Sequence, residues 1–154
     1  MEIRKAKLED FEEIKKLSYK LMVNETKFEP SFQPEYAKTE HSDNYLKGKM
    51  ESESALFLVA EQEGKLIGFL IGTVYPSPKA RQSVTPAVLD NIYIDTAHRN
   101  KGVGKGLLEG FQAWAKGKGS NKLRLGVHHK NDEAIRFYKN FGFSDFYLKL
   151  EKDI

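Results

Sequence analysis

Arg99-Asn100-Lys101-Gly102-Val103-Gly104 is the stretch on which the reading of this chain turns. Before it stands Val88-Leu89-Asp90-Asn91-Ile92-Tyr93-Ile94, an apolar, β-rich run of the kind that forms a buried strand. After it Leu107, Leu108, Phe111, Trp114 and Ala115 recur at helical spacing. The run is therefore a strand-to-helix turn. A helix start leaves several backbone N–H groups without intrahelical partners, and two glycines let that backbone come close to a ligand. Arg99, Lys101 and Lys105 add positive charge. Free donors, the positive helix end and basic side chains together suit a phosphate or pyrophosphate.

Upstream, residues 3–6 read as a short first strand, and Phe11, Ile14, Leu17, Leu21 and Met22 mark the apolar face of a helix. Pro30 and Pro34 make 27–34 an irregular connection, and a weaker second helix follows with Tyr36, Tyr45, Leu46 and Met50 as its sparse apolar residues. Residues 55–61 and 65–75 read as a β-hairpin turning at Gln62-Glu63-Gly64. Gly68 and Gly72 mark bulges or close backbone approach in its second strand. Residues 76–81 form a loop with a basic tip.

Downstream, 122–127 alternates as a further strand, and Asn131-Asp132-Glu133 supplies an N-cap and two acids for a last helix carrying Ala134, Ile135, Phe137, Tyr138 and Phe141. Gly142 stands where a left-handed C-terminal cap is expected, and 143–152 returns as a final strand. The strand–turn–helix–strand unit makes its two strands parallel. The class is mixed α/β, in one domain over residues 1–154.

Bulk properties narrow the function. The 40% hydrophobic and 31% charged shares are those of a globular protein that builds a core without staples. With no cysteine, disulfides, thiolate nucleophiles and cysteine-held zinc are excluded. A net charge of +3 suits an anionic ligand and falls short of a nucleic-acid binder. Met1-Glu2-Ile3-Arg4-Lys5 lacks an apolar signal core, and no run is long enough to cross a bilayer, so a cytoplasmic protein is expected. A Walker loop would follow Gly104-Lys105 with Ser or Thr, where this chain has Gly106. A dinucleotide fingerprint would come early in a βαβ unit, and this turn comes late.

Together these motifs resemble the GNAT superfamily of acetyl-CoA-dependent N-acetyltransferases. Residues 99–104 fit its arginine/glutamine-x-x-glycine-x-glycine/alanine signature. The strand before, the helix after, Asn131 with the Asn-x-x-Ala helix start, and Phe137-Tyr138-x-x-x-Gly142-Phe143 follow in order. About a third of the chain matches. Three departures stand out: Thr96 where proline is common, Asn100 where many members have glycine, and Gly106 for alanine or serine. Gly106 costs the helix start roughly 1 kcal/mol relative to alanine, and Asn100 tolerates positive φ better than most residues.

The resemblance implies a central, mostly antiparallel sheet of about six or seven strands with a splayed parallel pair and about four flanking helices. It implies acetyl-CoA as donor substrate and no metal. Pyrophosphate would be held by Arg99, Asn100, Lys101, Gly102, Val103, Gly104 and Lys105, with contact made more by backbone than by side chains. Ile92, Tyr93 and Ile94 would pair their backbone with pantetheine and hold the oxyanion, with Asn131 beside the same arm. Tyr138 would be the general acid for the leaving thiolate. The catalytic base would be Asp90, directly or through water, with His41 as the other candidate. His128 and His129 lack a third partner at ligand spacing. The acceptor would be a primary amine of a small molecule or a protein, bound by 22–50 and 76–86, with neither nucleic acid nor membrane as partner. Many members are homodimers. A non-catalytic acyl-CoA sensor is the alternative: it would keep the turn and need neither Tyr138 nor a base.

Overall fold

The computed structural model describes every residue except Pro78, Arg81 and Gln82. Strand β1 is Glu2–Lys5, and helix α1 is Phe11–Glu25, entered through a 3-10 turn at Leu8–Asp10. Asp10 sets that entry. Its carboxylate accepts the Lys7 backbone N–H at 2.7 Å and takes Arg4 in a fork at 2.7 and 2.8 Å. Arg4 also binds Glu61 at 2.7 Å, so one guanidinium joins β1, the start of α1 and the neighbouring strand. A second 3-10 turn, Pro34–Lys38, leads to α2 (Glu40–Glu51), whose Ser42 N–H is accepted by the N-cap hydroxyl of Thr39.

The hairpin forms as expected, with β2 at Ala55–Gln62 and β3 at Lys65–Val74. Glu63 and Gly64, at φ 53° and 73°, make its two-residue turn. Register shifts fall between Ala60 and Glu61 in one pairing and between Ile71 and Gly72 in the next. Both expected glycines therefore sit beside irregularities. Gly72 also makes room for the ring of Phe111, which a Cβ would strike. The loop tip read at 76–81 includes Pro78 and Arg81, which lie outside the described residues.

Strand β4 (Pro86–Ile94), helix α3 (Val103–Gly117), strand β5 (Lys122–Leu125) and helix α4 (Asp132–Asn140) follow. Among the described residues the sheet has five strands in the order β1-β2-β3-β4-β5, antiparallel except for the parallel β4–β5 pair. Phe57, Val59, Phe69, Ile71 and Tyr93 face Phe11, Ile14 and Leu17 of α1 and Leu46 of α2. Leu58, Leu70 and Leu89 pack on the other side with Leu107, Leu108 and Phe111 of α3 and Tyr138 of α4. Two helical layers thus cover one sheet, which buries both of its faces.

The expected count of six or seven strands is corrected to five. Residues 143–152 run without secondary structure. Phe143 packs on the core, while Tyr147 is 85% exposed and the Arg124 guanidinium of β5 lies 4.7 Å from the Phe146 ring. Period-two apolarity suits a strand, yet a strand also needs a ladder partner, and the four-residue β5 does not supply one to this segment.

Candidate active site

The turn after β4 is built from two left-handed residues, Asn100 at φ 59° and Gly102 at φ 81°. Val103 is buried behind it and anchors the start of α3. The helix ladder opens with the Gly106 N–H donating to the Gly102 carbonyl at 3.0 Å. The N–H groups of Val103, Gly104 and Lys105 thus have no intrahelical acceptor. Gly104 is a tight point, since a Cβ there would lie 3.0 Å from Phe137. A Cβ on Gly106 would lie 2.5 Å from Ile3 Cδ1, so the glycine that weakens the helix start is where β1 passes.

The basic side chains divide. Arg99 lines the cleft, donates from Nε to the Ile94 carbonyl at 3.2 Å and lies 5.8 Å from the Tyr93 ring. Lys101 instead turns back to donate to the Ala97 carbonyl at 2.9 Å. Neither Lys101 nor Val103 lines the cleft, whereas Asn100, Gly102, Gly104 and Lys105 do.

Beside the turn the sheet opens. The β4–β5 pairing runs from Pro86–Lys122 to Leu89–Leu125 and stops, while β4 continues to Ile94. From Asp90 onward the β4 edge on that side has no strand against it, and Ile92, Tyr93 and Ile94 all border the resulting slot. A bulge lies at its root: Gly72 pairs with Leu89 and Ile71 with Asn91, leaving Asp90 as the extra residue. The bulge turns Asp90 and Asn91 both towards α2. Asp90 Oδ2 accepts Lys49 Nζ at 2.7 Å and the Thr73 hydroxyl, with the side chain 15% exposed. Asn91 Oδ1 accepts the Tyr45 hydroxyl at 2.9 Å.

Across the slot stands α4. Asn131 caps it, accepting the Ala134 N–H at 3.1 Å on Oδ1, and also lines the cleft. Tyr138 is 8% exposed and packs edge-on to Phe143 at 5.8 Å. Burial, with a smaller push from the Glu25 charge, moves its phenol up to about 12. Of the other candidates, His41 packs against Tyr36 at 5.9 Å and is not in the cleft wall, whereas His128 is. His128 stacks between Phe28 at 6.0 Å and His129 at 4.8 Å. Among the described residues, no group of three or more His, Asp or Glu is placed to hold a metal ion. No helix of the described residues is long and apolar enough to cross a membrane.

The cleft has a volume of about 1440 Å³, more than one drug-sized ligand requires. It takes in Asn91 and Arg136, which the sequence reading did not place at the site, and Glu25, Phe28 and Phe32 of the 22–50 segment, which that reading gave to the acceptor without naming them singly. The available signal was exposed aromatics on polar segments, since Phe32, Tyr36 and Tyr45 remain more than 40% or close to 40% exposed.

The Acetyltransferase (GNAT) family model matches residues 19–143. The chain belongs to the GNAT acetyltransferase family. Among curated relatives, the uncharacterized N-acetyltransferase YhfO of Bacillus subtilis (strain 168) is 27% identical over 104 residues, covering 68% of each chain. Among solved structures, a point mutant of the BH1408 protein from Bacillus halodurans superposes with a TM-score of 0.89 at 20% identity, covering 100% of this chain and 99% of that one. Aminoglycoside N-acetyltransferase AAC(6')-Iy in complex with CoA gives 0.74 at 17% identity, over 99% and 100%. These structural likenesses, with the family match, establish the GNAT fold.

Proposed function

We propose that this chain is an N-acetyltransferase that moves the acetyl group of acetyl-CoA to a primary amine of a small molecule or protein, by direct attack in a ternary complex. One observation carries the reading: a helix start with free N–H donors, an open β4 edge and the Tyr138 phenol border the same cleft.

In this reading the backbone of Gly102–Lys105 and Arg99 take the pyrophosphate, and pantetheine occupies the slot beside Ile92, Tyr93 and Ile94. The acceptor's neutral amine attacks the thioester carbon, and a β4 N–H holds the oxyanion. The amine's proton leaves through a water at Asp90 Oδ1, because Oδ2 is already shared by Lys49 and Thr73. As the intermediate collapses the C–S bond breaks, and the Tyr138 hydroxyl supplies its hydrogen to the sulfur. Burial keeps that phenol protonated throughout the neutral range. The proton given up by the amine restores it, so the net products are an amide and free thiol. No cysteine is present to carry the acetyl group in a two-step route.

The test is release of free thiol from acetyl-CoA against a panel of primary amines, with CoA affinity measured alongside. Amine-dependent release is expected. Tight CoA binding with no release for any amine would overturn the enzymatic reading in favour of a CoA-binding module.

A further inference from the structure

Glu25 is the last residue of α1 and, with Glu133, one of two cleft carboxylates that the proposed chemistry leaves without a task; Glu133 has the Arg99 guanidinium at 3.8 Å. It is half-buried, and among the described residues it forms neither a hydrogen bond through its side chain nor an ion pair. A carboxylate taken out of water without a partner is costly. The other acid of the cleft floor, Asp90, has the Lys49 ammonium at 2.7 Å. The nearby cation of Glu25's own segment, Lys27, donates to Asn24 at 3.1 Å.

The end of α1 is fixed over the reacting half of the cleft. The Phe28 N–H bonds to the Glu25 carbonyl at 3.0 Å, and the Phe28 ring stacks on His128, which follows β5. Glu25, His128 and Tyr138 line the same cleft, and the Glu25 charge acts on the phenol. Next to it the connection to α2 presents Phe28, Phe32 and Tyr36 to the cleft, and α2 itself presents Tyr45. Aromatic faces attract cations and cover methylene chains. A lone, partly dried carboxylate at the end of an aromatic wall is the chemistry of an alkylammonium site.

We propose that Glu25 is the specificity residue for the acceptor, receiving the ammonium group of an aliphatic amine whose methylene chain lies along Phe28, Phe32 and Tyr36. The substrate class is a cationic alkylamine that carries a second amine to react, such as a diamine, rather than a neutral or anionic amine. This rests on the acetyltransferase reading for its biological meaning. The Glu25 site itself is testable by binding alone.

The experiment measures by calorimetry the affinity of 1,4-diaminobutane and its uncharged counterpart 1,4-butanediol, with and without saturating CoA. It uses the wild type, Glu25→Gln and Phe32→Ala, each verified by its melting curve. The wild type is expected to bind the diamine at least tenfold more tightly than the diol. Glu25→Gln is expected to reduce that preference about tenfold while leaving CoA affinity within twofold. Phe32→Ala is expected to weaken the diamine severalfold through the wall alone. Equal affinity of the wild type for diamine and diol, or an undiminished preference in Glu25→Gln, would overturn the assignment. A wild type that prefers the diamine yet binds no CoA would sustain Glu25 and overturn the acetyl-CoA reading instead.

Discussion

Gly102→Ala isolates the backbone conformation of the turn before α3 from its packing. Gly102 has φ 81° and ψ −4°, and no atom lies within 4 Å of where a Cβ would stand. Adding a methyl group therefore meets no clash, and the whole cost is that of a left-handed L-residue, about 1–2 kcal/mol. The chain can meet that cost in two ways. If the turn holds, the protein loses that stability, and at about 2–4 °C per kcal/mol for this size Tm falls by about 2–8 °C. If the turn relaxes, the N–H groups of Val103, Gly104 and Lys105 swing from their aim, and the same energy weakens CoA by about fivefold to thirtyfold. The two losses share one sum. Gly102→Asn, by contrast, should lose much less of either, because asparagine tolerates left-handed backbone and is a good N-cap. Calorimetric melting and CoA titration of the three proteins measure both quantities. An alanine variant unchanged in Tm and in CoA affinity, or an asparagine variant as damaged as the alanine one, would refute the argument.

Tyr138→Phe is expected to lower kcat by about 10²–10⁴ with CoA affinity retained; equal kcat would remove the acid role. Because the phenol is pushed up to about 12, the alkaline fall in kcat caused by its ionisation should lie well above that of an ordinary tyrosine, which a pH–rate profile to pH 11 would reveal. Gly104→Ala gains helix propensity but presses on Phe137 at 3.0 Å, so stability should change by less than about 1 kcal/mol while KM for acetyl-CoA rises. The Asp10 carboxyl is held below its ordinary value first by hydrogen bonds from Arg4. Its stabilisation is therefore complete above the unfolded value of ~3.9 and lost as pH falls through the lower folded value. Asp10→Asn should cost about 2 kcal/mol at neutral pH in a denaturant melt, and the difference from wild type should shrink in acid.

The parts of this molecule that were legible from sequence are those governed by local backbone demands. Asn100 and Gly102 supply positive φ, Asn131 supplies a cap, and Gly142 at φ 104° ends the last helix. Each residue type carries its conformational reason with it. Gly68 and Gly72 were legible for the same cause. What stayed hidden depends on pairing between distant segments. Residues 146–150 alternate as a strand does, but no local signal tells whether an edge will receive them. Asp90 reads as a free carboxylate until α2 brings Lys49 to it across the sheet. Glu25 reads as an ordinary charge on a surface helix, and only the stacking of Phe28, just past α1, on His128 brings it into the wall of the cleft.

The early end of the β4–β5 ladder has a thermodynamic side. Four pairs are all that the sheet contributes to holding β5, and α4 hangs beyond them. A ligand laid along the open edge from Asp90 to Ile94 would stand in for the missing length of strand, so its binding energy would be spent as folding energy of that quarter of the molecule. By linkage, ligand at a hundred times its Kd adds about 2.7 kcal/mol to the folded state. Amide exchange would register this first in β5 and α4, while β2 and β3, paired on both sides, would scarcely change. In this sense a ligand seated there would be a removable strand of the sheet.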